Sequence, residues 1–254
     1  MEFNLKAFAD SSHIFLKHQD LITEEAVDNI ITKKDLNIDQ IKENFDSLFS
    51  DIEKEAYRLY LEYEKIYGKE VFRAFIEYLY EARMIKSISE LKEVLGDYFY
   101  SFDRFFLSIS QSRRSRSGKT FESITNNLFK ALNYPFDEQV VINGKPDFLM
   151  PSEKHYRENA PDCIIFTTKR TLRERWRQIV TEGTRGLGFY LATIDEKISS
   201  IQLKEMLGHR IYIVCPQTIK DKCYNDAVNV LSFRQFFKDS LDPAIRRWKD
   251  NGVI

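Results

Sequence analysis

The chain has 254 residues, of which 43% are hydrophobic and 30% are charged, a composition typical of a globular protein with one large core or two modest ones. No apolar run approaches the roughly 18 residues that a membrane span requires, and the first residues lack the basic and apolar layout of a signal peptide. These features predict a cytoplasmic protein without a membrane partner. The formal net charge of -1 neither favours nor excludes a nucleic-acid partner.

The first part of the chain, residues 1–109, has the apolar spacing of helices throughout. One helix is predicted to begin after a cap at Ser50 or Asp51 and to end before Gly68, and a second apolar run at helical spacing follows it. Ser87 begins a capping-box pattern with the glutamate three residues later, which opens a third helix. The many Phe and Tyr side chains are most simply explained by packing between helices. We therefore predict an all-helical N-terminal region.

The character of the chain changes at a polar stretch, residues 110–118, which has the composition of a linker. After it, an amphipathic helix precedes several strand-like runs, and Asn143–Gly144 is a strong hairpin-turn signal between the first two. The predicted strands are 138–143, 146–150, 162–169, 210–215 and 228–231. Ser232 and Asp242 are expected to open the last two helices. Residues 110–254 are thus predicted to form an α/β domain, with a mixed central sheet flanked by helices.

Basic residues are concentrated in two clusters. The first contains no acidic residue and consists of Arg104, Arg113, Arg114, Arg116 and Lys119. The second includes two glutamates, Glu174 and Glu182, among Lys169, Arg170, Arg173, Arg175, Arg177 and Arg185. Either cluster alone is explained by a solvated helix face. Because arginine suits phosphates and guanine edges, two such clusters on either side of an acidic constellation favour binding of a polyanion.

The cysteines and histidines give little sign of metal or redox chemistry. Cys163 and Cys215 lie in apolar, strand-like runs, and neither they nor Cys223 form a CxxC pair, so buried free thiols are predicted. The four histidines show no HxxxH or HxH spacing, which argues against a zinc site.

An acidic residue at the head of one predicted strand and a lysine at the end of the next can converge on one point. Asp147 follows a proline at the head of the predicted strand 146–150, and Lys169 is the last residue of the predicted strand 162–169. Phosphodiester hydrolysis uses such a group, since carboxylates hold Mg²⁺ against the phosphate and a lysine orients the attacking water. A lone Pro-Asp pair is nevertheless common in turns.

A second acid is expected two residues before the lysine, and Thr167 occupies that position. Glu182 can replace it if the helix after Lys169 packs back across the sheet. Glu122, on the first helix of the α/β domain, is the other candidate, although the residues alone favour an ordinary surface position on that helix. The residues alone leave this choice open.

Arg173, Glu174 and Arg175 stand in a row after the lysine, at the start of a predicted helix. Arginine donates two hydrogen bonds to guanine and glutamate accepts one from cytosine, so the triplet can read consecutive G·C pairs. Salt bridges within the helix are the alternative explanation for the same residues.

Three segments, residues 113–122, 144–148 and 168–179, carry a resemblance to a known family. Their sequences are RRSRSGKTFE, GKPDF and TKRTLRERWRQI. They resemble the EcoRII, SsoII and PspGI group of type II restriction endonucleases, PD-(D/E)xK enzymes in which the second acid has migrated to a helix. The resemblance covers about residues 110–185, and its last segment is highly specific.

The resemblance implies a PD-(D/E)xK restriction-endonuclease-like core that cleaves double-stranded DNA at a short palindromic CC/GG-type site, such as CCNGG, CCWGG or CCGG. The residues to which it assigns catalysis are Asp147, Lys169 and Glu182, with Glu122 in support and with Asp147 and Glu182 as Mg²⁺ ligands. Base recognition is assigned to Arg173, Glu174 and Arg175. The residues expected at the DNA backbone are Arg113, Arg114, Arg116, Lys119 and Arg170.

The expected assembly is a homodimer in which each subunit reads one half-site, because closed twofold symmetry matches a palindrome. The helical N-terminal region is expected to supply dimer contacts and part of the DNA clamp. A host with this activity would need a cytosine DNA methyltransferase for protection. Two alternatives remain at this stage, a structure-specific repair or junction nuclease and a non-catalytic DNA-binding regulator.

Overall fold

The computed structural model describes residues 3–142, 144–172 and 188–254. Its α-helices are α1 (Leu5–Ser11), α2 (Gln19–Ile30), α3 (Ile38–Glu43), α4 (Phe45–Glu81), α5 (Ile88–Asp97), α6 (Phe99–Ala131), α7 (Glu153–Asn159), α8 (Ser200–Gly208), α9 (Gln217–Cys223), α10 (Phe233–Phe236) and α11 (Asp242–Asp250). The strands are β1 (Asp137–Glu138), β2 (Phe148–Met150), β3 (Ile164–Thr168), β4 (Gly188–Ala192), β5 (Ile211–Cys215) and β6 (Val230–Ser232). No helix in these ranges combines the length and apolar character of a membrane span.

The chain divides into two compact units. The first comprises Met1–Ala26 and Glu53–Thr120, and the second comprises Val27–Ile52 and Phe121–Ile254. This grouping differs from the predicted division at residue 109, since residues 27–52 pack with the sheet. Phe45, for example, packs its ring 4.7 Å from that of Phe233.

The first unit is all-helical and has an aromatic core. Phe75 on α4 is fully buried, and its ring centroid lies 5.0 Å from that of Tyr98 and 5.9 Å from that of Phe102. Both contacts are edge-on, the arrangement that the quadrupoles of aromatic rings favour. The expectation that the Phe and Tyr residues serve inter-helix packing is confirmed for these rings, whereas others, such as Tyr80 and Phe99, are exposed.

Two predicted breaks in helices are wrong. Helix α4 runs through Gly68, because the buried side chains of Tyr67, Val71 and Phe75 continue one stripe at four-residue steps across the glycine. A helical glycine costs about 1 kcal/mol relative to alanine, less than the burial of such a stripe contributes. Residues 110–118, predicted to be a linker, lie inside α6.

The second unit is built on a mixed six-stranded sheet with strands in the order β1-β2-β3-β4-β5-β6. The pairs β1–β2 and β2–β3 are antiparallel, and the strands from β3 to β6 are parallel. Strands β3 and β4 are buried at every residue, which explains their nearly continuous apolar sequences. The predicted mixed α/β sheet is confirmed.

Most strand predictions hold, but the first strand is shorter than predicted. Pairing ends at Glu138, because Gln139 adopts a left-handed backbone with φ 55°. Cys163, which precedes β3, and Cys215, which ends β5, are free and buried, as predicted. Burial raises the pKa of each of these two thiols to about 12.

Four phenylalanines form an aromatic cluster against the first strands of the sheet: Phe129, Phe136, Phe148 and Phe166. Phe148 and Phe166 are register partners on β2 and β3, with ring centroids 6.0 Å apart. Phe129 on α6 packs within 5.4 Å of the first ring and 5.2 Å of the second. The cluster thereby fixes the helix against the two strands that carry the candidate site.

Candidate active site

Asp147 immediately precedes β2 and is 5% exposed. Its Oδ2 atom accepts hydrogen bonds from the Thr168 amide at 2.6 Å, the Thr168 hydroxyl at 2.8 Å and the Thr167 hydroxyl at 2.9 Å. A buried carboxylate needs such compensation for the water that it has lost. Three donors on one oxygen fix the orientation of the carboxylate.

Lys169 immediately follows β3, and its amide donates to the carbonyl of Ala192 at 2.9 Å, which extends the ladder to β4. Its Nζ atom lies 3.6 Å from Oδ2 of Asp147 and 3.5 Å from the hydroxyl of Thr167. The side chain is 36% exposed, so the ammonium faces both the buried carboxylate and solvent. The structure therefore brings together the strand-end acid and the lysine that the sequence singled out.

Glu122 on α6 joins this group through Gln139. The side-chain amide nitrogen of Gln139 donates to Oε1 of Glu122 at 2.6 Å and to Oδ1 of Asp147 at 3.2 Å. Glu122 is partly buried, which differs from the surface helix residue of the alternative explanation. Two carboxylates, one amide and one ammonium thus meet at the edge of the sheet formed by β2 and β3.

Three contributors to this site were not identified from the sequence: Gln139, Thr167 as a donor, and Thr168. A signal for Gln139 was present, because a hairpin that turns near residue 143 places residue 139 opposite residue 147. The structure has this register, and the Gln139 amide donates to the Asp147 carbonyl at 3.2 Å. Thr167 occupies the position of the expected second acid and donates a hydrogen bond to the first.

The predicted backbone-binding arginines on α6 contact other groups of the first unit. Arg113 forms a bidentate ion pair with Glu64, with 2.9 Å between Nε and Oε2. Burial raises the pKa of the Glu64 carboxyl, but the hydrogen bonds of Arg113 and Tyr60, together with the charges of Arg113 and Arg116, lower it by more, so the net shift is downward. Arg116 donates to the carbonyl of Lys17 at 3.3 Å and lies 5.1 Å from the ring centroid of Tyr60.

Of the other predicted DNA-binding residues, two have side chains within the described part of the structure. Lys119 is exposed, and Arg170 is partly buried where the chain leaves Lys169. The side chain of Arg114 lies outside the described part of the structure. So do all of the residues assigned to base recognition and the migrated acid, namely Arg173, Glu174, Arg175 and Glu182.

Oxygen ligands of the kind that Mg²⁺ prefers are present at the site, since Asp147 and Glu122 both offer carboxylates. Within residues 3–142, 144–172 and 188–254, however, no group of three or more His, Cys, Asp or Glu side chains is placed to hold a metal ion. The donor type fits Mg²⁺, and the described residues supply part of a ligand set. Glu182, the other predicted ligand, is not among them.

A mixed sheet whose second strand begins after a buried carboxylate and whose third ends before a lysine defines an α/β fold of the restriction-endonuclease class. The structure is similar to that of metal-depleted Ecl18kI in complex with uncleaved, modified DNA, with a TM-score of 0.76 and 25% identity over 96% of this chain and 84% of that one. It also has the fold of PspGI in its substrate DNA complex, with a TM-score of 0.63 and 22% identity over 91% of this chain and 94% of that one.

Sequence comparison identifies the family. The model of the EcoRII C terminal family matches residues 74–237, and the chain belongs to this family. It is 29% identical over 72% of its length to the type II restriction enzyme SsoII of Shigella sonnei, and 32% identical over 54% of its length to the type II restriction enzyme EcoRII of Escherichia coli. The chain spans 65% of the length of the first relative and 36% of the second, less than two thirds of either.

Proposed function

We propose that this chain is a Mg²⁺-dependent type II restriction endonuclease that hydrolyses double-stranded DNA at a short palindromic CC/GG-type site. The observation that carries the proposal is the convergence of Asp147 and Lys169, with Nζ 3.6 Å from Oδ2, beside a second carboxylate. The family and the type II restriction enzymes among its relatives support the same reaction.

Each residue has a separate task in the proposed reaction. Asp147 and Glu182 bind Mg²⁺, with Glu122 in support, and the cation supplies stabilisation of the charge that develops on the scissile phosphate. Lys169 orients the attacking water from a position fixed by its ion pair with Asp147. Thr167 and Thr168 hold Oδ2 of Asp147, so that its second oxygen, Oδ1, keeps a defined direction.

DNA recognition in this proposal comes from the segment that follows Lys169. Arg173, Glu174 and Arg175 read G·C pairs through the major groove. The predicted basic residues make the contacts with the DNA backbone. Lys119 is exposed and available to a phosphate, whereas Arg113 and Arg116 would have to divide their donors between a phosphate and their present partners. A homodimer presents two such sets to the two halves of a palindrome, and a cytosine methyltransferase protects the host DNA.

The test is incubation of the full chain with plasmid DNA and Mg²⁺, followed by sequencing of the fragment ends. We expect discrete fragments whose ends share one short palindrome, and at least a 100-fold lower cleavage rate for Asp147→Asn, in line with the several kcal/mol that a catalytic metal contributes. Asp226→Asn, a change at an exposed residue outside the candidate site, is the matched control and should cleave normally. Random nicking or cleavage confined to junctions would indicate a different nuclease, and full activity of Asp147→Asn would refute the assignment.

A further inference from the structure

Gln139 stands between the two carboxylates of the candidate site. A single nitrogen, Nε2, donates to Glu122 at 2.6 Å and to Asp147 at 3.2 Å, so both of its hydrogens are directed at anionic oxygens. Hydrogen bonds to charged acceptors are roughly twice as strong as those between neutral groups. The amide therefore offsets the repulsion that two neighbouring carboxylates would otherwise experience.

The backbone at Gln139 is held in an unusual conformation. Its φ of 55° is a left-handed value that few residues other than glycine, asparagine and aspartate adopt. Such a conformation is unfavourable for most residues and persists where surrounding contacts enforce it. Here it ends the pairing of β1 at Glu138, as a bulge does when it re-aims a side chain next to a functional site.

The hydrogen bonds to Asp147 decide which of its oxygens a cation can reach. Each carboxylate oxygen has two lone-pair directions, and the amide uses one at Oε1 of Glu122 and one at Oδ1 of Asp147. The other oxygen of Asp147 is already saturated by the hydroxyls of Thr167 and Thr168 and by a backbone amide. Oδ1 is thus the oxygen of Asp147 that a metal ion can reach, and Gln139 sets its distance from Glu122.

We propose that Gln139 is a positioning residue, which holds Glu122 and Asp147 at a fixed spacing and so prepares them to bind a divalent cation. The inference rests on the proposed function, because it assigns the cation to these carboxylates. Gln139 acts on the cation site through its hydrogen bonds to Glu122 and Asp147, without itself contacting DNA or the metal. Outer-shell partners of this type typically contribute roughly 10- to 100-fold to metal affinity.

The experiment is calorimetric titration of the DNA-free protein with Mn²⁺, an ion that carboxylate sites accept in place of Mg²⁺. Gln139→Met keeps the size of the side chain and removes the donor, while Gln139→Gly removes the donor and adopts positive φ without strain. We expect each variant to bind Mn²⁺ at least tenfold more weakly than the original protein. Thermal melting in EDTA establishes that both variants are folded.

A second background separates positioning from a general structural effect. In a Glu122→Gln protein one side of the bridge is already lost, so Gln139→Met should weaken Mn²⁺ binding by no more than about threefold further. An equal loss in both backgrounds would mean that Gln139 acts through the fold, and the proposal would be overturned. Unchanged affinity in either donor-free variant would overturn it as well.

Failure of the proposed function gives a different result. Asp147→Asn should abolish saturable Mn²⁺ binding if the cation lies at these carboxylates. If that variant binds Mn²⁺ as the original protein does, or if the original protein shows no saturable binding, the metal assignment is wrong and the inference falls with it. If Asp147→Asn loses binding and Gln139→Met does not, the site stands and the inference alone fails.

Discussion

Replacement of Thr167 by valine tests how much the buried hydrogen bonds to Asp147 contribute to stability. Thr167 is 1% exposed, and its hydroxyl donates to Oδ2 of Asp147 at 2.9 Å. Loss of a hydrogen bond to a charged acceptor costs about 1.5–3 kcal/mol, and the added methyl group returns about 0.8 kcal/mol through burial. We therefore expect Thr167→Val to lower the free energy of unfolding by about 1–2 kcal/mol, measured by urea unfolding in EDTA.

The matched control is Thr125→Val. Its hydroxyl is equally buried but donates at 2.9 Å to a neutral acceptor, the backbone carbonyl of Phe121. A neutral hydrogen bond contributes about 0.5–1.5 kcal/mol, which the methyl group largely offsets, so the control should stay within about 0.5 kcal/mol of the original protein. If both variants lose the same free energy, the charge of Asp147 adds nothing to this bond and the reasoning is refuted.

Three further predictions concern the rest of the molecule. Gly68→Ala should raise the free energy of unfolding by about 0.5–1 kcal/mol in thermal melts, since an added Cβ meets nothing within 4 Å and no positive φ is required; a loss would contradict a continuous α4. Burial raises the pKa of the Asp162 carboxyl, but hydrogen bonds from His155 at 2.8 Å and Arg247 at 2.6 Å lower it more, so its pKa lies below the ordinary 3.8. The ionised Asp162 carboxylate therefore stabilises the fold above pH 3.8, and this stabilisation is lost as the pH falls through the lowered pKa. Asp162→Asn should lower the free energy of unfolding by about 1–3 kcal/mol in urea at pH 7 and by progressively less in acid. A loss that does not change with pH would contradict the direction of the pKa shift. Cys223 should be the thiol that reacts readily with a disulfide reagent at pH 8 in the native protein, with the two buried thiols reacting after unfolding; fast native reaction of all three would contradict their burial.

The parts of the fold that the sequence predicted are those set by local pattern. The runs at 164–168 and 211–215 are short and rich in β-branched residues, which favours strands over helices, and both strands are almost entirely buried. Ser232 opens α10 with a reciprocal capping box to Gln235. Ser87 caps α5 through the Glu90 amide, although the Glu90 side chain turns to the amide of Lys86 and not to the cap.

Apart from β4, a local apolar run that is not among the predicted strands, the parts that the sequence does not predict depend on contacts distant in sequence. Residues 110–118 are polar enough for a linker, and nothing local shows that Arg113 will pair with Glu64, 49 positions earlier. In the same way, composition does not reveal that Gln139 adopts a left-handed backbone. Asp147 and Lys169 can be identified from the sequence because strand ends carry a recognisable signal. The pattern around Glu122 is that of a surface residue, because its link to Asp147 runs through the side chain of Gln139.

The aromatic cluster disfavours misfolded forms in which β2 and β3 pair out of register. Phe148 directly follows Asp147 and Phe166 directly precedes Thr167, so Asp147 and Thr167 each lie one step from a ring on the opposite face of the strand. A slip of one residue in the pairing of β2 and β3 would exchange the two faces of a strand, placing the carboxylate among the phenylalanines and away from the hydroxyls of Thr167 and Thr168. Such a chain would bury a charge without its hydrogen-bond donors, a penalty of several kcal/mol. The residues that align the candidate site thereby also disfavour pairing of β2 and β3 out of register.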